Sequence, residues 1–277
     1  MAQALGYERL NGAAPICPVP RANKLPLSFA QRRLWFLDQL EGAASAYNMP
    51  VALHVRGALD RAALSASLAA IVARHEGLRS SFQTHEGVPQ VLIGSHVLST
   101  QEVDLRPLQA SQRDLDVQRR VREDAERPFD LAQGPLFRSQ LLILAEDEHV
   151  VLVNMHHIVS DGWSMGVMVR EWSALYNAFA QNQPSPLSAL PIQYGDYAHW
   201  QHRHLVGPGL GRQIAYWRRQ LQGAPALLEL PTNRVRPSVQ RFHGDTLAIQ
   251  FSAALSARVQ RHAEQSAASP YMVLLAG

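Results

Sequence analysis

The residues best able to do chemistry lie in one segment, Met155-His156-His157-Ile158-Val159-Ser160-Asp161-Gly162-Trp163-Ser164. Imidazole is the side chain whose ordinary titration range suits proton transfer at neutral pH. The apolar run before the segment reads as a strand, and successive strand side chains point to opposite faces. His156 and His157 therefore cannot both address one small substrate. His157 shares its parity with Val153 and Val151 and sits where a strand opens into a loop, so it is the expected proton carrier, partly desolvated. His156 is the expected support. Asp161 lies beyond the strand, where pairing with an arginine would let it hold the loop. Gly162 permits a positive φ or the close approach of a reacting group. Ser164 reads as the cap of a following helix, whose first N–H groups could hold the anionic oxygen of a tetrahedral intermediate. Blander readings stay open on these residues alone. Paired histidines also occur at packed strand ends, a lone aspartate also serves as a helix-start acid, and aromatic residues such as Trp35, Phe36, Tyr197 and Trp200 also fill cores. A metal site is disfavoured, because adjacent strand positions diverge and no third histidine or cysteine has ligand spacing.

The elements that must position this segment follow from hydrophobic period. Val51, Leu53 and Val55 alternate as in a strand. Asp60 stands before a helix with Leu64, Leu68, Ile71 and Val72 on one side. Short strands are expected around Leu78–Phe82 and Gln90–Ile93, and a charged helix over 111–127 that stops before Pro128. FRSQLLILA and HVVLVNMHH read as a hairpin joined by Glu146-Asp147-Glu148, and the second arm is apolar on both faces, as a central strand would be. Met168, Trp172, Leu175 and Phe179 form the buried stripe of the helix after the motif. A helix from Ser28 through Glu41 should bury Leu34, Leu37 and Leu40. Two aromatic-rich helices, a proline-containing loop at 230–237, a strand at 245–251 and a helix from Ser252 complete the reading. Residues 1–26 read as a linker or tail, 27–180 as one lobe, 181–191 as a connection, and 192–277 as the start of a second lobe.

Composition narrows the function classes. Apolar residues make up 47% of the 277-residue chain, enough for a sizeable core, and the net charge of +3 comes from 26 basic against 23 acidic side chains. That balance, without any basic block interleaved with aromatics, argues against nucleic acid. The single Cys17 excludes an internal disulfide framework. No apolar run has membrane-spanning length and the opening residues lack a secretory pattern, so the expected location is cytoplasmic.

His-His-Ile-Val-Ser-Asp-Gly-Trp-Ser resembles the His-His-x-x-x-Asp-Gly signature of the condensation domains of nonribosomal peptide synthetases. Further blocks occur in the family's order: SFAQRRLWFLDQLE at 28–41, RHEGLRSSF at 74–82, YGDYAHWQ at 194–201, YWRRQL at 216–221 and LPTNRVRP at 230–237. The resemblance implies an α/β (α+β), chloramphenicol-acetyltransferase-like fold of two lobes, the N-terminal one complete here and the C-terminal one partial. It implies amide bond formation between a donor acyl or peptidyl thioester and the α-amine of an acceptor aminoacyl thioester. Donor and acceptor peptidyl carrier proteins would be the partners, beside an adjacent adenylation domain. The phosphopantetheine arms belong to those carriers, so no cofactor or metal is bound by the domain. The resemblance makes His157 catalytic, with His156, Asp161, Gly162 and Arg79 in support and Trp163 and Ser164 along the substrate tunnel. The opening of the first block and the Ser-Asp-Gly-Trp-Ser ending resemble domains joining an L-configured donor to an L-configured acceptor. The alternatives are an inactive carrier-binding or scaffolding fragment, and a related coenzyme A-dependent acyltransferase.

Overall fold

The computed structural model describes residues 15–21, 25–41, 45–227, 231–235 and 247–276. The chain divides into two compact units, Met1–Asn233 and Arg234–Gly277.

The first unit is organised by strand β7 (Glu148–His156), which is buried from His149 to His156. A four-stranded sheet runs in the order β2–β7–β6–β5, with β2 at Asn48–Arg56, β5 at Gln101–Asp104 and β6 at Phe137–Ile143. β7 pairs antiparallel with β2 and β6, while β5 joins β6 in parallel. The two faces of β7 sort by parity. Val151, Val153 and Met155 pack with Leu64, Leu68, Ile71 and Val72 of helix α2 (Arg61–Arg74) and with Met168, Trp172 and Leu175 of helix α4 (Gly162–Phe179). Val150 and Leu152 face the other way, against Leu105, Leu142, Leu144 and the Val117 and Val121 stripe of helix α3 (Ala110–Glu126). Each aliphatic side chain fully buried here contributes roughly 1.5–3 kcal/mol, and slipping β7 by one residue would swap its two face sets and bring Asn154 and His156 to the α2 and α4 side. Asp60 caps α2 by accepting from the Ala63 N–H at 2.9 Å, and the Trp172 indole donates to Ser67 Oγ at 3.0 Å in the same core.

A smaller antiparallel sheet, β1–β4–β3, carries Leu25–Pro26, Val88–Ile93 and Ser80–His85 respectively. Its core of Leu25, Leu27, Phe82, Phe129, Leu131 and Leu136 also takes in Ile158 of the motif. Helix α1 (Phe29–Glu41) starts beside it. The stripe expected on α1 is shifted: Gln31 is buried, Leu34 and Trp35 are half-buried, and Leu40 is 67% exposed.

Contacts distant in sequence tie parts of the expected tail and connection to the first unit. The Arg21 guanidinium bonds Asp196 and Glu76, the Val19 N–H donates to Asp196, and Leu25 is buried within β1, so residues 19–21 and 25–26 belong to the fold. The 181–191 segment has no regular structure, but it is not where the chain divides. The Ser188 carbonyl accepts from Arg74 and the Gln193 amide bridges the Arg74 carbonyl and Glu76 N–H. Helix α5 (Tyr194–His204) is thereby held to the first unit, with Gly195 so close to β1 that a Cβ would stand 2.9 Å from Leu25. Helix α6 (Gly207–Gln220) follows.

In the second unit, helix α7 (Ala253–Gln265) is capped by Ser252 and followed by helix α8 (Pro270–Ala276). The strand expected at 245–251 does not form over its described part. Residues 247–251 are irregular, with Leu247 and Ile249 strongly exposed, and they pair with no strand among the described residues. A β-pattern without a partner leaves its backbone groups to water, so local propensity alone does not hold it. Of the loop at 230–237, residues 231–235 are described and irregular. No helix among the described residues is long and apolar enough to cross a membrane.

Candidate active site

The motif lies where β7 ends and α4 begins, and strand parity separates its histidines. His156 continues the α3 side of β7. It is 1% exposed, between the rings of Tyr47 and Phe129, and its Nδ1 accepts the Ile158 N–H at 3.1 Å. That bond places the ring proton on Nε2 in the neutral form. Burial, with His157 adding a like-charge contribution, pushes the His156 imidazole down to about 4.

His157 has the opposite parity and is exposed on the wall of a cavity of about 920 Å³ between the motif, α1, α2, α4 and α5. The ring stands in the open cavity. Its backbone is fixed, since its N–H donates to the Tyr47 carbonyl at 2.8 Å. Deeper walls include Ile71, Leu78, Met155, Met168 and Ile192. An apolar wall beside an imidazole suits a substrate whose reacting atoms are neutral before proton transfer.

Asp161 takes the capping role expected of Ser164. Asp161 is the N-cap of α4, accepting from Ser164 N at 2.8 Å and Ser164 Oγ at 2.6 Å. Those hydrogen bonds hold its carboxyl below the usual carboxylate range, with His157 nearby adding to the effect. The start of α4 thus already carries an acidic partner, and the Asp161 carboxylate occupies the place expected for an anionic oxygen. Gly162 has no positive φ, and a Cβ there would meet nothing within 4 Å, so its smallness leaves open space beside the motif. Trp163 is 83% exposed and, like Ser164, reaches the cavity wall. Arg79 is not the partner of Asp161: its Nη1 donates to the Gly94 carbonyl at 2.7 Å and its Nε is buried without a partner. Arg79 lies in the turn before β3, which directs its side chain toward the β4 end.

Two contributors escaped the reading of the sequence. Tyr47 supplies the carbonyl that holds His157, and nothing in its type announces a main-chain role. Gln31 donates to the Ile158 carbonyl at 3.2 Å. The signal for it was present, because Ser28-Phe29-Ala30-Gln31 has capping-box spacing, and Ser28 and Gln31 do cap one another.

Fold and site define an α/β protein that presents one histidine from the end of an interior strand into an open, largely apolar cavity. The condensation-domain family model matches residues 21–277. The chain is 43% identical over 265 residues to a linear gramicidin synthase polypeptide of Brevibacillus parabrevis, covering 95% of this chain and 5% of that protein. It is 39% identical over 281 residues to phosphinothricin tripeptide synthetase PhsC of Streptomyces viridochromogenes, covering 99% of this chain and 26% of that protein. Among solved structures it resembles the X-domain in a complex with OxyB from teicoplanin biosynthesis, with 31% identity, a TM-score of 0.77, and coverage of 93% of this chain and 56% of that one. The first condensation domain of the CDA synthetase shares the fold at 23% identity and a TM-score of 0.71, over 90% of this chain and 59% of that one. The chain belongs to the condensation-domain family of nonribosomal peptide synthetases, with the chloramphenicol-acetyltransferase-like fold. It spans a small fraction of these synthetases and somewhat over half of the matched structures.

Proposed function

We propose that this chain forms amide bonds between two L-configured residues, each tethered as a thioester to a peptidyl carrier protein, within a cytoplasmic synthetase that also carries an adjacent adenylation domain. The observation that carries the proposal is His157, backbone-fixed by Tyr47 and open to an apolar cavity. The acceptor α-amine attacks the donor carbonyl carbon, a C–N bond forms and the C–S bond breaks. His157 orients the amine or takes its proton, and that proton leaves with the departing thiolate. His156 cannot share this work at neutral pH, because it is buried, neutral and bonded to Ile158. It supports the turn, as Asp161 supports the start of α4. The phosphopantetheine arms enter as parts of the substrates.

Intact-mass spectrometry of an acceptor carrier, incubated with the chain and loaded donor and acceptor, tests the proposal. A mass gain equal to the donor acyl group is expected, lost in His157→Ala although that exposed substitution leaves the fold intact. A gain that persists without His157 would overturn its role. The likeness to an X-domain whose structure was solved with OxyB favours a second reading, a module that binds a partner without catalysis. Carrier binding without any mass gain would support that reading.

A further inference from the structure

The cavity wall contains a polar side chain that the proposed reaction does not use. Gln31 lines the cavity yet is 4% exposed. Its Oε1 accepts the Ser28 N–H at 3.1 Å, and its Nε2 donates to the Ile158 carbonyl at 3.2 Å, across 127 positions of sequence. The amide orientation is not interchangeable, because a backbone N–H only donates and a carbonyl only accepts. The clamp is itself held: Gln31 N donates to Ser28 Oγ, and Ser28 Oγ shares a hydrogen bond with the Tyr194 hydroxyl at 3.0 Å.

The backbone on either side of the His157 ring is tied at three points. Its own N–H is bound by the Tyr47 carbonyl, the N–H of Ile158 by His156 Nδ1, and the carbonyl of Ile158 by Gln31. The Ile158 side chain is 3% exposed in the core of the small sheet. Of these anchors, Gln31 alone reaches the motif from α1. The geometry points to Gln31 as a positioning residue that fixes the His157–Ile158 backbone and so aims His157 at the reacting amine. This inference rests on the proposed role of His157. A displacement of about 1 Å at a reacting group costs on the order of a hundredfold in rate, so losing one anchor should be visible in turnover.

Gln31→Glu is the discriminating substitution, being nearly isosteric. An ionised glutamate keeps the acceptor for Ser28 but turns an acceptor toward the Ile158 carbonyl, whereas a protonated one restores a donor. Nuclear magnetic resonance of the full chain would follow the Ile158 carbonyl and the His157 amide from pH 8.5 to 5. Both signals should differ between the variant and the unmodified chain at high pH, and the difference should close as the carboxyl protonates. In the condensation assay kcat should fall about tenfold at high pH with KM for the carriers unchanged. A folded Gln31→Glu variant with undisplaced signals and unchanged kcat overturns the inference. Should the variant not fold, the unmodified chain decides: the Gln31 side-chain amide protons should exchange slowly with solvent, and free exchange would refute the clamp. A chain that forms no amide bond at all counts against the proposed reaction, while the resonance experiment still decides the clamp.

Discussion

The buried neutral histidine makes a quantitative prediction about acid. His156 titrates near 4 in the folded chain, against an ordinary value of about 6.5 that applies once it unfolds. Above pH 6.5 both states are neutral there and the group has no effect on stability. As the pH falls below 6.5 the unfolded state takes up a proton that the folded state refuses, so stability is lost down to pH 4 and then levels off. The full difference of about 2.5 units corresponds to roughly 3 kcal/mol, of which about 2 kcal/mol is lost between pH 7.5 and pH 5. Urea unfolding at those two pH values would measure it. His156→Asn is the control, because its Oδ1 stands near the position of the imidazole Nδ1 and still accepts the Ile158 N–H, but it does not titrate. The His149 imidazole is also held down by burial, and it contributes equally to both proteins. The unmodified chain should therefore lose about 2 kcal/mol more than His156→Asn over that interval. Equal losses in the two would refute the assignment of a buried neutral imidazole.

Two further outcomes follow from the contacts around the site. Asp161→Ala should lower stability by about 1 kcal/mol through loss of the α4 cap, while Asp161→Asn retains most of it; thermal unfolding of the pair checks this, and equal losses would mean that the carboxylate acts otherwise than as a cap. Burial alone would push Asp196 up, but hydrogen bonds from Arg21 and from the Gln193 and Val19 N–H groups outweigh it and hold the carboxyl below its usual range. Arg21→Ala leaves that buried carboxylate short of its cation and should lower stability by about 2 kcal/mol, with faster proteolytic cleavage around residues 15–26. Unchanged stability and cleavage would show that the segment needs no such anchor.

What could be read from the sequence was whatever depends on local period. The β6–β7 hairpin, the stripe of α2, the Asp60 cap and the opposite faces of His156 and His157 follow from alternation and from 3.6-residue spacing, and all are present. What could not be read was closure over distance. Arg21 meets Asp196 across 175 positions, and an arginine in an alanine- and proline-rich stretch gives no sign of its partner. The Arg79 contact is hidden for the same reason: a charge suggests an ion pair, but only the path of the turn before β3 decides that it meets the Gly94 carbonyl. Serine is a good cap and Ser164 reads as one, whereas three residues earlier Asp161 accepts the Ser164 N–H and caps the helix with a full charge.

With His157 in the proposed role, the paired histidines solve a conflict built into any catalytic strand end. A reacting side chain must be open to its substrate, but an open side chain on a free loop samples many rotamers and backbone positions. Here the opening is confined to the His157 side chain, while its neighbours are tied through their backbones. His156 surrenders its basicity to burial and uses Nδ1 to hold the Ile158 N–H. A larger apolar residue at 156 could fill the volume between Tyr47 and Phe129, but it would leave that N–H without its acceptor, a loss of about 1–3 kcal/mol at a buried donor. Asparagine could accept the bond but lacks the ring that reaches both aromatic neighbours. Imidazole meets both requirements, so the first histidine is explained by the rigidity that the second one needs.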